Sequence, residues 1–359
     1  MLKLNSNNNI ILNDIRIGKY FISDYLFNSN HYQAGKRKLK IYPEKWHDEF
    51  TRLDLKTFDN SVNFILFDDV ESFTNYDNDD VIRLLKLIFK NYGMLDRLKF
   101  YGNNLSILPK NTNYIPTPFF IGETSWQSKP INIRKFSKKF LFLAGYPKMI
   151  RCQILLFLQS NNILEECNWS WNVNSNPLPI DFKKYELLNI PKSLDTDIGK
   201  LHVEKMHQII NEYYDSFVSI ISETYFYQET FDNFIIGKKP IFITEKTDKC
   251  FTSAQPFIVF STSGYIKHLK ELGFKTFDKW WDESYDMEMN ENKRLKLLYG
   301  IIKEIHNWSF EKCEQVYTEM IPSLEHNQLL SHTMDLKHKK IRYTRDTYLR
   351  YKLKKKKLF

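Results

Sequence analysis

The run Phe242–Pro256 (FITEKTDKCFTSAQP) joins a short apolar stretch to a segment carrying Glu245, Lys246 and Lys249. Read as a strand entering a helix that begins at Thr244, it presents unpaired backbone amides of the kind that suit a diphosphate. Lys246 adds a point charge beside that anion, and Glu245 is placed to accept hydrogen bonds from a ribose diol. Glu245 and Lys249, four residues apart, equally suit an ordinary ion pair on one helix face. Two further pieces belong with this one. Ser222-Glu223-Thr224 closes the apolar run Phe217–Ile221 (FVSII), and Arg151 follows Phe140–Ala144 (FLFLA) and the turn Gly145-Tyr146-Pro147. Ligands of α/β proteins gather at the carboxyl ends of strands, and Arg offers a planar fork to phosphate oxygens. Alone, Arg151 reads as a helix-surface cation. Three strand ends in one half of the chain point to a nucleotide site.

The elements that must position these residues follow from hydrophobic patterning. Val62–Phe67 (VNFILF) reads as a strand, Asp79–Tyr92 as a helix with one broad apolar face, and Leu98–Tyr101 as a second strand. Pro109–Pro130, with four prolines, reads as a loop-rich connection. The pattern resumes with strand Phe140–Ala144, helix Met149–Gln159 and strands Phe217–Ile221 and Ile241–Ile243. Helix Thr244–Ala254, strand Pro256–Phe260 and helix Tyr265–Leu272 follow. Strand, helix, strand at this spacing predicts parallel sheets with crossover helices. The expected fold class is α/β, two Rossmann-like halves facing across a cleft. Trp169, Trp171, Trp280 and Trp281 suit core packing better than stacking on a sugar or base. Asn172 and Asn174 lie beside the first pair in sequence.

Composition bounds the function classes. At 359 residues the chain is long enough for about two domains. Hydrophobic residues at 42% exclude disorder over most of the chain. The net charge of +9 suggests nucleic-acid binding until it is located. Between Leu336 and Phe359 stand eleven Lys and Arg against one acid, Asp346, so the rest of the chain is close to neutral. The tail Lys337–Lys357 suits an anionic membrane surface, nucleic-acid phosphates or simple solvation. Cys152, Cys167, Cys250 and Cys313 form no CxxC pair, and reduced thiols in a cytoplasmic setting are expected, with peripheral membrane attachment through the tail as a variant. No transmembrane helix is expected.

Ser222-Glu223-Thr224, Ile243–Lys246 (ITEK) and Pro256–Val259 (PFIV) together resemble the donor-binding region of fucosyltransferases and related GT-B glycosyltransferases. Gln255–Phe277 (QPFIVFSTSGYIKHLKELGFKTF), Asp282–Asp286 (DESYD) and Lys139–Arg151 (KFLFLAGYPKMIR) are similar to glycosyltransferase-like proteins of phages and large viruses. The resemblance spans residues 139–310. It implies a GT-B arrangement with an acceptor-side domain over 1–130, a donor domain over 131–325, and a C-terminal helix and basic tail over 326–359. It implies a sugar transfer from a nucleotide-diphosphate sugar to an acceptor hydroxyl, on a glycan or on a hydroxylated base in phage DNA. Arg151 and Lys246 would then hold the diphosphate, Glu245 would meet the ribose, and Thr244 and Lys249 would belong to the same donor-binding set. Glu223 and Thr224 would line its base or sugar pocket. No metal and no cofactor beyond the co-substrate are implied, because Arg and Lys neutralise the leaving group. Thr224 stands where that family usually has Asn. An inverting reaction needs a base. Asp69 and Glu71, with Asp68 just after Val62–Phe67, are the candidates, though a solvated acidic turn is the plainer reading. His31 and His47 are weaker rivals. The alternative is a non-catalytic nucleotide- or nucleic-acid-binding protein on the same scaffold.

Overall fold

The computed structural model describes residues 9–11, 16–17, 20–21, 63–67, 80–102, 114–118, 120–172, 177–193, 208–227 and 241–356. Asp68, Asp69, Glu71, His31, His47 and Asn174 lie outside the described residues. The chain forms two compact units. One comprises Met1–Phe119 with Asn233–Phe242, and the other Phe120–Asp232 with Ile243–Phe359. The class is mixed α/β with parallel sheets, consistent with a Rossmann-like pattern.

In the first unit, β1 (Asn9–Ile11) is followed by a short antiparallel pair, β2 (Arg16–Ile17) and β3 (Tyr20–Phe21). Strand β4 (Asn63–Phe67), helix α1 (Asp80–Asn91) and strand β5 (Leu98–Gly102) then form a parallel crossover, and β6 (Tyr114–Pro116) closes the set. The sheet order is β1-β4-β5-β6, parallel at every pair. Leu85, Ile88 and Phe89 recur at helical spacing and are fully buried, with Phe89 edge-on to Phe64 at 4.9 Å between ring centroids. The proline-rich stretch read as a loop thus contains one short strand, Tyr114–Pro116, whose Pro116 stands on the sheet edge where its missing N–H costs no ladder bond.

The second unit contains β7 (Lys138–Ala144), α2 (Met149–Ser160), β8 (Cys167–Trp171), α3 (Glu212–Asp215) and β9 (Ser216–Ser222). It continues through α4 (Glu245–Ser253), β10 (Phe257–Phe260), α5 (Tyr265–Glu271), α6 (Glu291–His306) and α7 (Phe310–Lys356). Its sheet order is β10-β9-β7-β8, again all parallel. Strand β9 is flanked on both sides and buried along its whole length, as a central parallel strand between helix layers must be. This order contains a reversal. The chain leaves β7 for β8 on one side, then returns to lay β9 and β10 on the other. The connections after β7 and β9 therefore diverge, and their carboxyl ends are the place where ligands of open α/β sheets bind.

Two expectations need correction, and one strand was not assigned from the sequence. Ile241–Ile243 is buried but is not a strand, because three apolar residues suit a buried connection as well as a ladder. Cys167–Trp171 is an edge strand, with Ala144 opposite Trp171. Trp171 is fully buried and donates from Nε1 to the Leu188 carbonyl at 2.9 Å, while Trp281 is buried beside Phe277. Finally, no break falls at 325/326. Helix α7 runs unbroken from Phe310 to Lys356, and Cys313, Val316, Tyr317, Met320, Leu324, Asn327 and Ser331 form its buried stripe. That stripe packs on β9, on α4 and on the turn Ser125–Gln127 of the same unit.

Candidate functional site: a cation-rich strand edge

The site is built at the reversal between β7 and β9. Strand β9 ends at Ser222, and the next residue, Glu223, is buried with both carboxylate oxygens occupied. Its Oε2 accepts from Thr244 Oγ1 at 2.7 Å. Its Oε1 accepts from the Thr244 amide at 3.3 Å, Thr247 Oγ1 at 3.0 Å and the Tyr265 hydroxyl at 2.9 Å. Glu223 thus pins the start of α4 to the carboxyl end of β9. It is a residue that builds the site. Burial and the adjacent Glu223 carboxylate push the Tyr265 hydroxyl well above its ordinary range, so Tyr265 stays a neutral donor.

Thr244 caps α4 through its side chain, which accepts from the Lys246 amide at 3.4 Å. Lys246 Nζ then folds back over that cap, 3.2 Å from Thr244 Oγ1 and 2.9 Å from Glu245 Oε1. Burial alone would raise the Glu245 carboxyl. The Lys246 ammonium, with Lys249 close by, overrides that and holds it down to about 2. Burial pulls the Lys246 ammonium down, the Glu245 and Glu223 carboxylates outweigh it, and the net direction is up. The ion pair that forms is therefore Glu245 with Lys246, with Lys249 buried one turn further along.

From the other side, Arg151 lies in the first turn of α2, buried, and donates to the Tyr146 carbonyl at 3.0 Å and the Ser222 carbonyl at 3.4 Å. The second bond spans the β7–β9 reversal directly. Arg151 opposes the charge of Lys246, which places both cations in one electrostatic neighbourhood. Lys148, just before α2, donates to the Thr224 carbonyl at 3.3 Å. Sequence reading missed Lys148, although its position one turn before Arg151 after the same strand was a usable signal. It also missed Thr247 and Tyr265, whose roles depend on Glu223 turning back onto α4. Ser222 Oγ is buried and has no hydrogen-bond partner among the described residues.

The structure thus brings together Arg151, Glu223, Thr224, Thr244, Glu245, Lys246 and Lys249, all within the second unit. Around them the cations outnumber the carboxylates, whereas the amides at the start of α4 expected to be unpaired are already taken: the Thr244 amide donates to Glu223 and the Lys246 amide to the Thr244 side chain. Such an arrangement is chemically suited to a multiply charged anion. Asn172 is buried, its amide bonded to the Ala144 carbonyl at 3.0 Å. Trp280 is half-buried and donates to Glu319 at 3.3 Å, away from these residues in the fold. All four cysteines are buried free thiols, with burial raising Cys152 and Cys250 to about 12 and Cys313 to about 11. Among the described residues no group of three His, Cys, Asp or Glu is placed to hold a metal ion, and no helix is long and apolar enough to cross a membrane. No protein-family model, curated protein or solved structure matches this chain.

Proposed function

We propose that this protein is a nucleotide-sugar-dependent glycosyltransferase of the GT-B type, with the donor held by the second unit. The observation that carries the reading is the convergence of Lys148, Arg151, Lys246 and the start of α4 at the β7–β9 reversal. A nucleoside diphosphate presents its charge at such a reversal in open α/β sheets. As the bond between sugar and diphosphate breaks, negative charge grows on the leaving phosphate. Arg151 and Lys246 neutralise it, and Glu245 keeps the Lys246 ammonium charged and aimed. Glu223 holds the start of α4 in place. Asp69 and Glu71 remain the candidates for the base that takes the acceptor proton. The acceptor is a hydroxyl, on a glycan or on a modified DNA base.

The test is a melting-temperature panel with GDP, UDP, ADP, CMP and their common sugar conjugates, on the parent chain and on Lys246→Ala. One nucleotide present at 100-fold over its Kd stabilises by about 2.7 kcal/mol. That gain should shrink by at least tenfold in affinity in Lys246→Ala, and more in Arg151→Ala. A panel with no stabilising nucleotide would remove the donor site and the transferase reading together. Stabilisation without release of nucleoside diphosphate from any conjugate, across glycan and hydroxymethylated-DNA acceptors, would leave a nucleotide-binding protein.

A further inference from the structure

Helix α7 changes character halfway along. Its first half carries the buried line Cys313, Tyr317, Met320, Leu324, Asn327 and Ser331. Continued at the same spacing, that line passes through Asp335, His338, Arg342, Arg345 and Leu349. Apart from Leu349 the core-facing stripe is therefore not extended by the sequence, although the helix runs on to Lys356. Between Lys337 and Lys356 there are ten Lys and Arg and one acid. At about 100° per residue these ten positions leave no sector of the helix wider than about 60° without a positive charge. Leu336, Ile341, Tyr343, Tyr348, Leu349, Tyr351 and Leu353 are scattered around the same axis.

We infer that the carboxy-terminal part of α7 is a DNA-binding helix that takes the phosphates of a duplex groove without regard to base sequence. The distribution of charge separates this from a membrane role. A helix lying on a bilayer needs one apolar face of about 100° or more and places its cations on the other. This helix has no such face, and a flat anionic surface would engage only one side of it. The major groove of B-DNA is wide enough to admit an α-helix and carries phosphates along both walls, so cations on both flanks of a seated helix find partners, where a flat surface meets only one side. The deep, narrow major groove of A-form RNA does not admit one. Twenty helical residues span about 30 Å, or about nine base pairs of axis. The inference rests on α7 alone and is independent of the donor site.

The experiment is fluorescence anisotropy of the full chain with two unrelated labelled 30-base-pair duplexes between 50 and 200 mM salt. Both duplexes should bind with equal affinity, weakened at least about 100-fold over that range. Substituting Lys352→Gln, Lys354→Gln, Lys355→Gln and Lys356→Gln together keeps helix propensity. It should cost at least tenfold at 50 mM and lower the salt slope by up to about 3.6. A second variant with Lys337→Gln, Lys339→Gln, Lys340→Gln and Arg342→Gln should act in the same direction, with the melting temperature of both variants unchanged. Unaltered affinity and slope in both variants would overturn the inference. So would binding to phosphatidylserine vesicles with none to duplex, or a preference for single-stranded nucleic acid over duplex.

Discussion

Glu223 and Asp248 are two buried carboxylates that hold the same short helix, and each accepts from four protein donors. Around Glu223 those donors are the Thr244 amide and hydroxyl, Thr247 and Tyr265, and beside them stand Lys246 and Arg151. Around Asp248 they are the Gly122 amide at 2.6 Å, the Thr124 amide and hydroxyl at 2.8 Å, and Ser331 Oγ at 3.0 Å. These are all neutral, and burial raises the Asp248 carboxyl despite them. Asp248 ties three segments far apart in sequence into one knot, with Thr124 Oγ1 also bonded to Thr252 Oγ1 at 2.6 Å. A fully enclosed carboxylate among neutral donors serves the fold. A carboxylate that anchors a cation-rich strand edge is, under the proposed reading, part of the donor site. Counting hydrogen bonds does not separate the two, whereas the charge of the neighbours does.

The knot is the place to break first. Gly122 has φ +85°, and an added Cβ would lie 2.6 Å from the Ser331 carbonyl oxygen and 2.6 Å from Asp335 Cβ. Gly122→Ala therefore combines left-handed strain with a clash against backbone, and should cost about 3 kcal/mol or more. Six of the seven tryptophans lie in the second unit, so intrinsic fluorescence in a denaturant titration reads this loss. A cost below about 1 kcal/mol would mean that the 120–128 turn yields freely and the knot is loose. Asp248→Ala strands the Gly122 and Thr124 amides and should cost about 3 kcal/mol. The folded variant should keep its nucleotide affinity, since no ligand-facing group is touched. A parallel loss of affinity would merge the two carboxylates into one site and dissolve the contrast.

The opposite end of the helix should respond to pH. Glu245 is held down to about 2 from an ordinary 4.5, so its contribution to stability is fully present above about pH 4.5. It is lost as pH falls through about 2, and amounts to on the order of 1–3 kcal/mol. Glu245→Gln should flatten that part of the stability curve and leave the slope unaltered near neutrality. An identical acid limb in the variant would show that the Glu245–Lys246 pair holds nothing in place.

Much of the architecture was legible locally. Asn63–Phe67, Lys138–Ala144, Ser216–Ser222 and Phe257–Phe260 are short apolar runs bounded by turn residues, and α1, α2, α4 and α5 carry their own periodicity. Strand β8 was harder. Its alternation of Cys167, Trp169 and Trp171 with Asn168 and Ser170 fits a strand, but two tryptophans so close together also suit a stacking surface. Burial of Trp171 decided between them.

Residue types and their spacing determined where strands and helices form, because backbone sterics and the 2.0 and 3.6 periods act over a few neighbours. They also placed Arg151 and Glu223 after strands, where ligands of α/β proteins bind. Only the tertiary structure decided that β9 lies beside β7 on the side away from β8, which creates the reversal. It alone assigned Glu223 to anchoring and Lys148 to the cation cluster, and joined Asp248 to Thr124 across 124 residues. Strand order and desolvation arise from contacts between distant segments, and no local pattern carries that information.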